Sequence, residues 1–273
     1  RPQPSTFMLV ATPVASVLLT MLIGVVVFDL IGISGFKAVV DIFLTPLLNP
    51  LKWQDVALKA APLIIIALGL SVGNRAQVWN IGAEGQYVVG ALCAAGVGLA
   101  AGTAGGPVIL LLMIAAGIIG GGLYAFVPAL LKTRYDVNEI LTSLMLTYVS
   151  YQILGYLVGG PWKDPNGRNF PATAPLADNQ VLPIIVPGTT VHLGVLIALI
   201  LPFVFWVLMS RSVFGFQIRV VGSAPHAARH GGFDAKQTVW AAMLISGGMA
   251  GLAGTLEFTG VLHKIDLGFA SGY

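Results

Sequence analysis

The charged residues of this chain fall in clusters, and between the clusters lie uncharged apolar runs about as long as the roughly 20 residues a helix needs to cross a hydrocarbon core. Only 9% of the 273 residues are charged and 56% are hydrophobic, against roughly 25% charged in a soluble domain. No ordinary water-soluble surface can be built from this material, so the runs are spans and the clusters are loops. Seven spans are expected, at roughly residues 8–28, 58–74, 87–103, 107–131, 140–160, 190–210 and 238–260. In lipid every backbone group must be paired within its own segment, and the runs lack the polar alternation of a barrel strand. The expected fold class is all-α, a polytopic membrane helical bundle.

The segments differ in character. Residues 2–28 form an uncharged stretch long enough to span, which suits a retained first helix rather than a cleaved signal peptide. Asp29, Lys37, Asp41, Lys52 and Asp55 punctuate residues 29–57, with Pro46 and Pro50 among them, so this stretch is expected as short interfacial helices. Asn74–Gln86, carrying Arg75, Gly82, Glu84 and Gly85 between two apolar runs, predicts a broken or re-entrant region. The Pro-, Asn-, Asp- and Gly-rich loop 161–189 suits an ordered aqueous cap or a docking surface rather than a helix, with Trp162 at the interface. Glycines at 117, 120, 121 and 122, and at 247, 248, 251 and 254, let helices approach closely.

Lys132 and Arg134, and Arg211, Arg219, Arg229 and Lys236, mark loops 132–139 and 211–237 as cytoplasmic, because short loops rich in Lys and Arg are retained there. Counting spans backwards puts the N-terminus in the cytoplasm and loops 29–57 and 161–189 outside; Lys37, Lys52 and Lys59 run against that trend. The net charge of +3 is accounted for by such loops and does not indicate nucleic-acid binding. Cys93, the only cysteine, excludes a disulfide framework.

Polar groups at membrane depth are costly and turn toward a protein interior or a water-filled path, which singles out three stretches. In NRAQVWNIGAEGQ (74–86), Asn80, Glu84 and Gln86 offer amide and carboxylate hydrogen bonds beside Trp79, a set suited to a sugar or base ring; the alternative is an ordinary turn at Gly82. In KTRYDVNEILTSLMLTYVSYQ (132–152), Asn138, Thr142 and Met145 share a helix face that would line a solute path; the alternative is a capped helix with interface charges, with Glu139 exposed. In Ser210–Gln237, the alanines near 224–228 suit a short helix ending at Gly231-Gly232. His226 and His230 lack a further ligand nearby and suit a solvated face. Glu257 and Asp266 lie near a helix end, where water is expected. The sequence contains neither GxxxxGK[ST] nor HExxH, so the chain cannot hydrolyse ATP by itself.

Three of these segments carry a resemblance. NIGAEGQ (80–86), LKTRYDVNEILTSLMLTY (131–148) and GFQIRVVGSAPHAARHGGF (215–233), in this order, resemble the permease family of bacterial ABC importers for nucleosides and simple sugars, within the branched-chain amino acid and ribose-type permease superfamily. The likeness runs from about Pro62 to Tyr273. Trp79 stands where Phe is usual, and Ser223 and His226 depart from the pattern of the third segment.

The resemblance implies a single transmembrane permease domain over 1–273, with the family's last helices beyond Tyr273. It implies a pore formed with a second permease, paralogue or self, on a pair of ABC ATPase subunits, fed by an extracytoplasmic solute-binding lipoprotein in the bacterial inner membrane. Trp79, Asn80, Glu84, Gln86, Asn138, Thr142 and Met145 would line the path. Arg219, Pro225, Ala227, Ala228, Arg229 and Gly231 would belong to a coupling loop within 211–237. The chain would bind no cofactor and hold no catalytic residue, ATP being used by the partner. The rival is a stand-alone secondary transporter or channel, which needs an ion-coupling site of buried acids; Glu84 is the one candidate.

Overall fold

The computed structural model of the chain describes residues 5–269; Tyr273, beyond which the resemblance implies further helices, lies outside them. The described residues form helices and loops, with only isolated β-bridges at Lys163–Thr173, Ala172–Asp266 and Ile184–His192. Among the described residues seven helices are long and apolar enough to cross a membrane, which bears out the all-α polytopic bundle. The chain divides into two compact units, residues 1–56 and 57–273.

The first unit holds α1 (Thr6–Leu30), α2 (Gly35–Phe43), α3 (Thr45–Leu48) and the first turns of α4 (Pro50–Arg75). The Asp29 carboxylate accepts the N–H of Gly35 at 2.7 Å and ties the end of α1 to the start of α2. The interfacial helices expected over 29–57 are α2 and α3, but residues 50–57 already belong to α4. The charges at Lys52, Asp55 and Lys59 are exposed on this extension of the span, so they mark one face of a helix rather than its boundary.

The second unit is built on α5 (Ala83–Ala101), α6 (Pro107–Tyr135) and α11 (Ala235–Glu257), packed against one another, with α7 (Glu139–Gly159) on α5. The three central helices meet at glycine. A Cβ on Gly251 would fall on the carbonyl of Gly117 and 3.0 Å from the Cα of Gly121, and one on Gly90 would strike the Gly251 backbone. Small residues allow such close backbone contact where lipid supplies no hydrophobic drive between helices. α8 (Leu193–Arg211), α9 (Val213–Ser223) and α10 (Pro225–His230) follow in chain order.

At the end of this unit where α11 passes into a π-helical turn (Phe258–Leu262), loop 160–192 folds into the ordered cap expected of it. Thr173 N–H donates to the Ile265 carbonyl at 2.9 Å, Leu176 N–H to that of His263 at 2.8 Å, and Leu182 N–H to that of Thr259 at 3.0 Å. The buried Gln180 amide donates to the carbonyls of Gly98, Gly102 and Ala104, capping α5.

Candidate solute-path site

α5 and α6 are antiparallel neighbours joined by residues 102–106. With 19 and 29 residues at about 1.5 Å each, α5 stops about 15 Å short of the far end of α6. Loop 76–82, which precedes α5, is therefore recessed into the bundle, as the expected break at 74–86 required. Its residues alternate: Ala76, Val78, Asn80 and Gly82 are buried, while Gln77, Trp79 and Ile81 point outward. Asn80 reaches Ser246, eleven residues or about 16 Å into α11.

The Asn80 and Gln86 amides bond each other and are 5% and 1% exposed. Asn80 Nδ2 also donates to Ser246 Oγ at 2.8 Å, and Asn80 Oδ1 accepts the Gly82 N–H at 3.2 Å. A buried polar group must be paired or pay its desolvation cost; here the two amides pair with each other and hold the loop. Of the first stretch, Trp79, half exposed, and Glu84 are the members that face outward or partly so. Glu84 accepts the hydroxyl of Tyr151.

This contact follows from helix packing. Gly85 sits so close to α7 that a Cβ there would lie 2.8 Å from Thr147 Cα, which draws Glu84 up to the next turn of α7. Sequence reasoning missed Tyr151, because nothing in the spacing of α7 tells which face meets α5.

Asn138 caps α7: its Oδ1 accepts the Ile140 N–H at 2.9 Å and its carbonyl accepts the Thr142 hydroxyl at 3.1 Å. Met145 and Thr142 line a shallow apolar hollow of about 250 Å³ with Val127, Leu131, Leu141 and Leu146. The shared face of Asn138, Thr142 and Met145 is present, and its first member is occupied in capping. Glu139, expected to be exposed, is buried instead, because Lys132 on α6 reaches it at 3.3 Å. Glu257, expected near water, is likewise buried, with Lys59 Nζ at 3.5 Å.

The third stretch forms an elbow of α9 and α10. Ile218 packs into an apolar cluster with Val72, Ala76 and Val78, Val221 is buried as well, and a Cβ on Gly222 would collide with the Arg75 carbonyl. α9 thus lies directly on the recessed loop. Arg219 Nη1 donates to the Met209 carbonyl at 2.8 Å, tying α9 to the last turns of α8. In α10, Ala228 is buried, Pro225, Ala227 and Arg229 are exposed, and Gly231 caps the C-terminus, as the expected stop at Gly231-Gly232 required. Pro225, His226, Arg229, Phe233 and Lys236 line a hollow of about 570 Å³ there.

At the capped end His192 is buried, its Nδ1 accepting the Gly194 N–H at 3.1 Å. Burial and, secondarily, the nearby His263 push its pKa down to about 4. Among the described residues no group of three or more His, Cys, Asp and Glu side chains is placed to hold a metal ion.

Membrane-length helices joined by glycine seams, a polar break recessed into the bundle and an amphipathic elbow roofing that break define a polytopic membrane transport protein. The chain belongs to the family described as branched-chain amino acid transport system / permease component, which matches residues 53–273. It is 34% identical over 273 residues to the glucose ABC transporter permease protein TsgB13 of Haloferax volcanii, covering 96% of this chain and 71% of the relative. It is 32% identical over 209 residues to the guanosine ABC transporter permease protein NupP of Bacillus subtilis, covering 75% and 59%. The nucleoside ABC transporter permease protein NupB of Lactococcus lactis is 22% identical over 275 residues, covering 95% and 75%. The chain thus spans between 59% and 75% of these relatives' lengths. No solved structure matches it. It is a permease of the ABC transporter class, a transporter rather than an enzyme.

Proposed function

We propose that this chain forms the pore, together with a second permease (a paralogue or another copy), of an ATP-driven importer that carries nucleosides or related sugar-containing solutes across a bacterial inner membrane by alternating access. An ABC ATPase pair docks on the α9–α10 elbow and uses the ATP; an extracytoplasmic lipoprotein delivers the solute at the other end. The chain itself binds no cofactor.

The observation that carries this reading is the contact of Gly222 with the Arg75 carbonyl. It makes the elbow and the recessed loop one mechanical piece, so a push on Pro225, Ala227 and Arg229 reaches Trp79 and Glu84 without crossing the bundle. Switching transitions move such rigid elements between two packings. Arg75, Lys132, Arg134, Arg211, Arg219, Arg229 and Lys236 gather toward the elbow end of the unit, which favours that end as cytoplasmic; a cytoplasmic N-terminus is part of the proposal. The relatives named for guanosine, nucleosides and glucose favour solutes that carry a sugar ring.

Uptake of radiolabelled nucleosides and simple sugars by cells expressing the complete operon tests this, with and without a disabled ATPase. Uptake that vanishes with the ATPase is expected. Uptake that survives it overturns the reading in favour of a secondary transporter driven through Glu84.

A further inference from the structure

Glu84 and Tyr151 meet far from either end of α7. Tyr151 lies twelve residues beyond Glu139 in a helix of 21 residues, about 18 Å along an axis of about 32 Å. A carboxylate at such depth turns toward protein or a water-filled path rather than lipid. Yet both side chains are only half-buried, and the surface beside them is open: Tyr148 is 59% exposed, and Gln152, one turn further along α7, is exposed as well. Trp79 stands outward at the end of α5 that carries Glu84.

The chemistry of this patch is one-sided. An ionised carboxylate offers about four acceptor sites, and Tyr151 occupies one. The neighbours add a phenol, an amide and aromatic faces. Among the described residues, no Lys or Arg forms an ion pair with Glu84; Lys59, which also lies inside its span, pairs with Glu257 instead. An anionic solute finds no counter-charge here, whereas two adjacent hydroxyls can each donate to one carboxylate oxygen, the bidentate geometry that makes such bonds strong.

We propose that Glu84 and Tyr151, flanked by Tyr148 and Gln152, bind the vicinal hydroxyls of a sugar ring as the solute passes mid-membrane. This rests on the importer reading above. Between solutes the Tyr151 hydroxyl satisfies the carboxylate, so Glu84 is never bare at depth, and the bond holds the carboxylate in place while leaving its other acceptor sites for the diol.

The test uses the complete transporter, with its binding protein, in proteoliposomes, and compares wild type with Tyr151→Phe and Glu84→Gln; Tyr156→Phe, on an exposed part of α7, is the control. Because every variant receives solute from the same binding protein, its own preference cancels. With guanosine and 2′,3′-dideoxyguanosine as probes, both variants are expected to lower guanosine uptake about tenfold, the scale of one lost hydrogen bond, and to leave dideoxyguanosine uptake unchanged. Equal losses for both probes would assign the pair a structural role and overturn the proposal, as would unchanged guanosine uptake. If glucose enters wild-type vesicles and guanosine does not, the diol is that of a free hexose and the variants must cut glucose uptake by the same factor; unchanged glucose uptake overturns it. Entry of neither overturns the solute reading together with this one. Uptake without ATP would sink only the importer mechanism, while the ratio between probes still judges the pair.

Discussion

The side-chain amides of Asn80 and Gln86 lie head to tail, Asn80 Nδ2 donating to Gln86 Oε1 at 2.7 Å and Gln86 Nε2 returning a bond to Asn80 Oδ1 at 3.0 Å. Two amides that satisfy each other, six residues apart and buried, close the recessed loop into a ring. Replacing Gln86 by Leu keeps the volume and leaves one Asn80 amide N–H unpaired, its bonds to Ser246 and Gly82 remaining. An unpaired buried polar group costs about 1–3 kcal/mol, so the thermal midpoint in detergent should fall by several degrees. The double variant Asn80→Leu, Gln86→Leu should lose less than the sum of the singles, because the partners share one network. Additive losses would show that the pair does not act as a unit.

Gly251 sets the distance between three helices. Its Cα lies where a Cβ on Gly90 would stand, and its own Cβ would meet Gly117 and Gly121. Gly251→Val therefore has to spread α11 from both α5 and α6. Overpacking typically costs about 1–3 kcal/mol and sometimes more, and here the obstacles are backbone, which cannot turn aside. Size-exclusion profiles of detergent extracts should lose the monodisperse peak. Gly159→Ala is the matched control, since a Cβ there has nothing within 4 Å; a normal profile for Gly251→Val would refute the close seam.

His192 predicts an acid limit. Its folded pKa of about 4 lies below the ordinary 6.5 of the unfolded chain, so between these values the unfolded state binds more protons and stability rises with pH. The contribution is fully present above about pH 6.5 and is lost as pH falls from there toward 4. Thermal melts across that window should steepen downward in the wild type. His192→Asn retains an acceptor for the Gly194 N–H but does not titrate, and should flatten the slope. An equally steep slope in the variant would mean that other groups carry the acid sensitivity.

The spans were legible because lipid imposes a length and a composition that few sequences meet by accident. Their ends were less so: α4 begins at Pro50 rather than near 58, since Lys52, Asp55 and Lys59 sit on an exposed helical face that the count of charges alone reads as loop. Of the candidate site, the position of the break and the elbow's stop at Gly231 followed from local rules of turn and cap. What did not follow were the pairings between helices. Tyr151 finds Glu84 because Gly85 lets α5 touch α7, and Glu139 is buried because Lys132 comes from a different helix. Such contacts depend on which faces meet, information spread over every seam of the bundle.

Arg219 ties the elbow together, and its loss should separate ATP hydrolysis from transport. The guanidinium holds the Met209 carbonyl at 2.8 Å, one of the carbonyls in the last turn of α8 that have no partner within the helix. α9 is fixed by this bond in its second half and, one turn further on, lies on the recessed loop through Gly222. In Arg219→Ala the apolar contacts of Ile218 with Val72, Ala76 and Val78 remain, so the protein should fold and the ATPase should still dock on α10. The elbow would yield instead of transmitting, and uptake should fall several-fold with the ATPase rate of the assembled complex retained. A parallel loss of both activities would point to failed docking, and full uptake would mean that the push travels by another route.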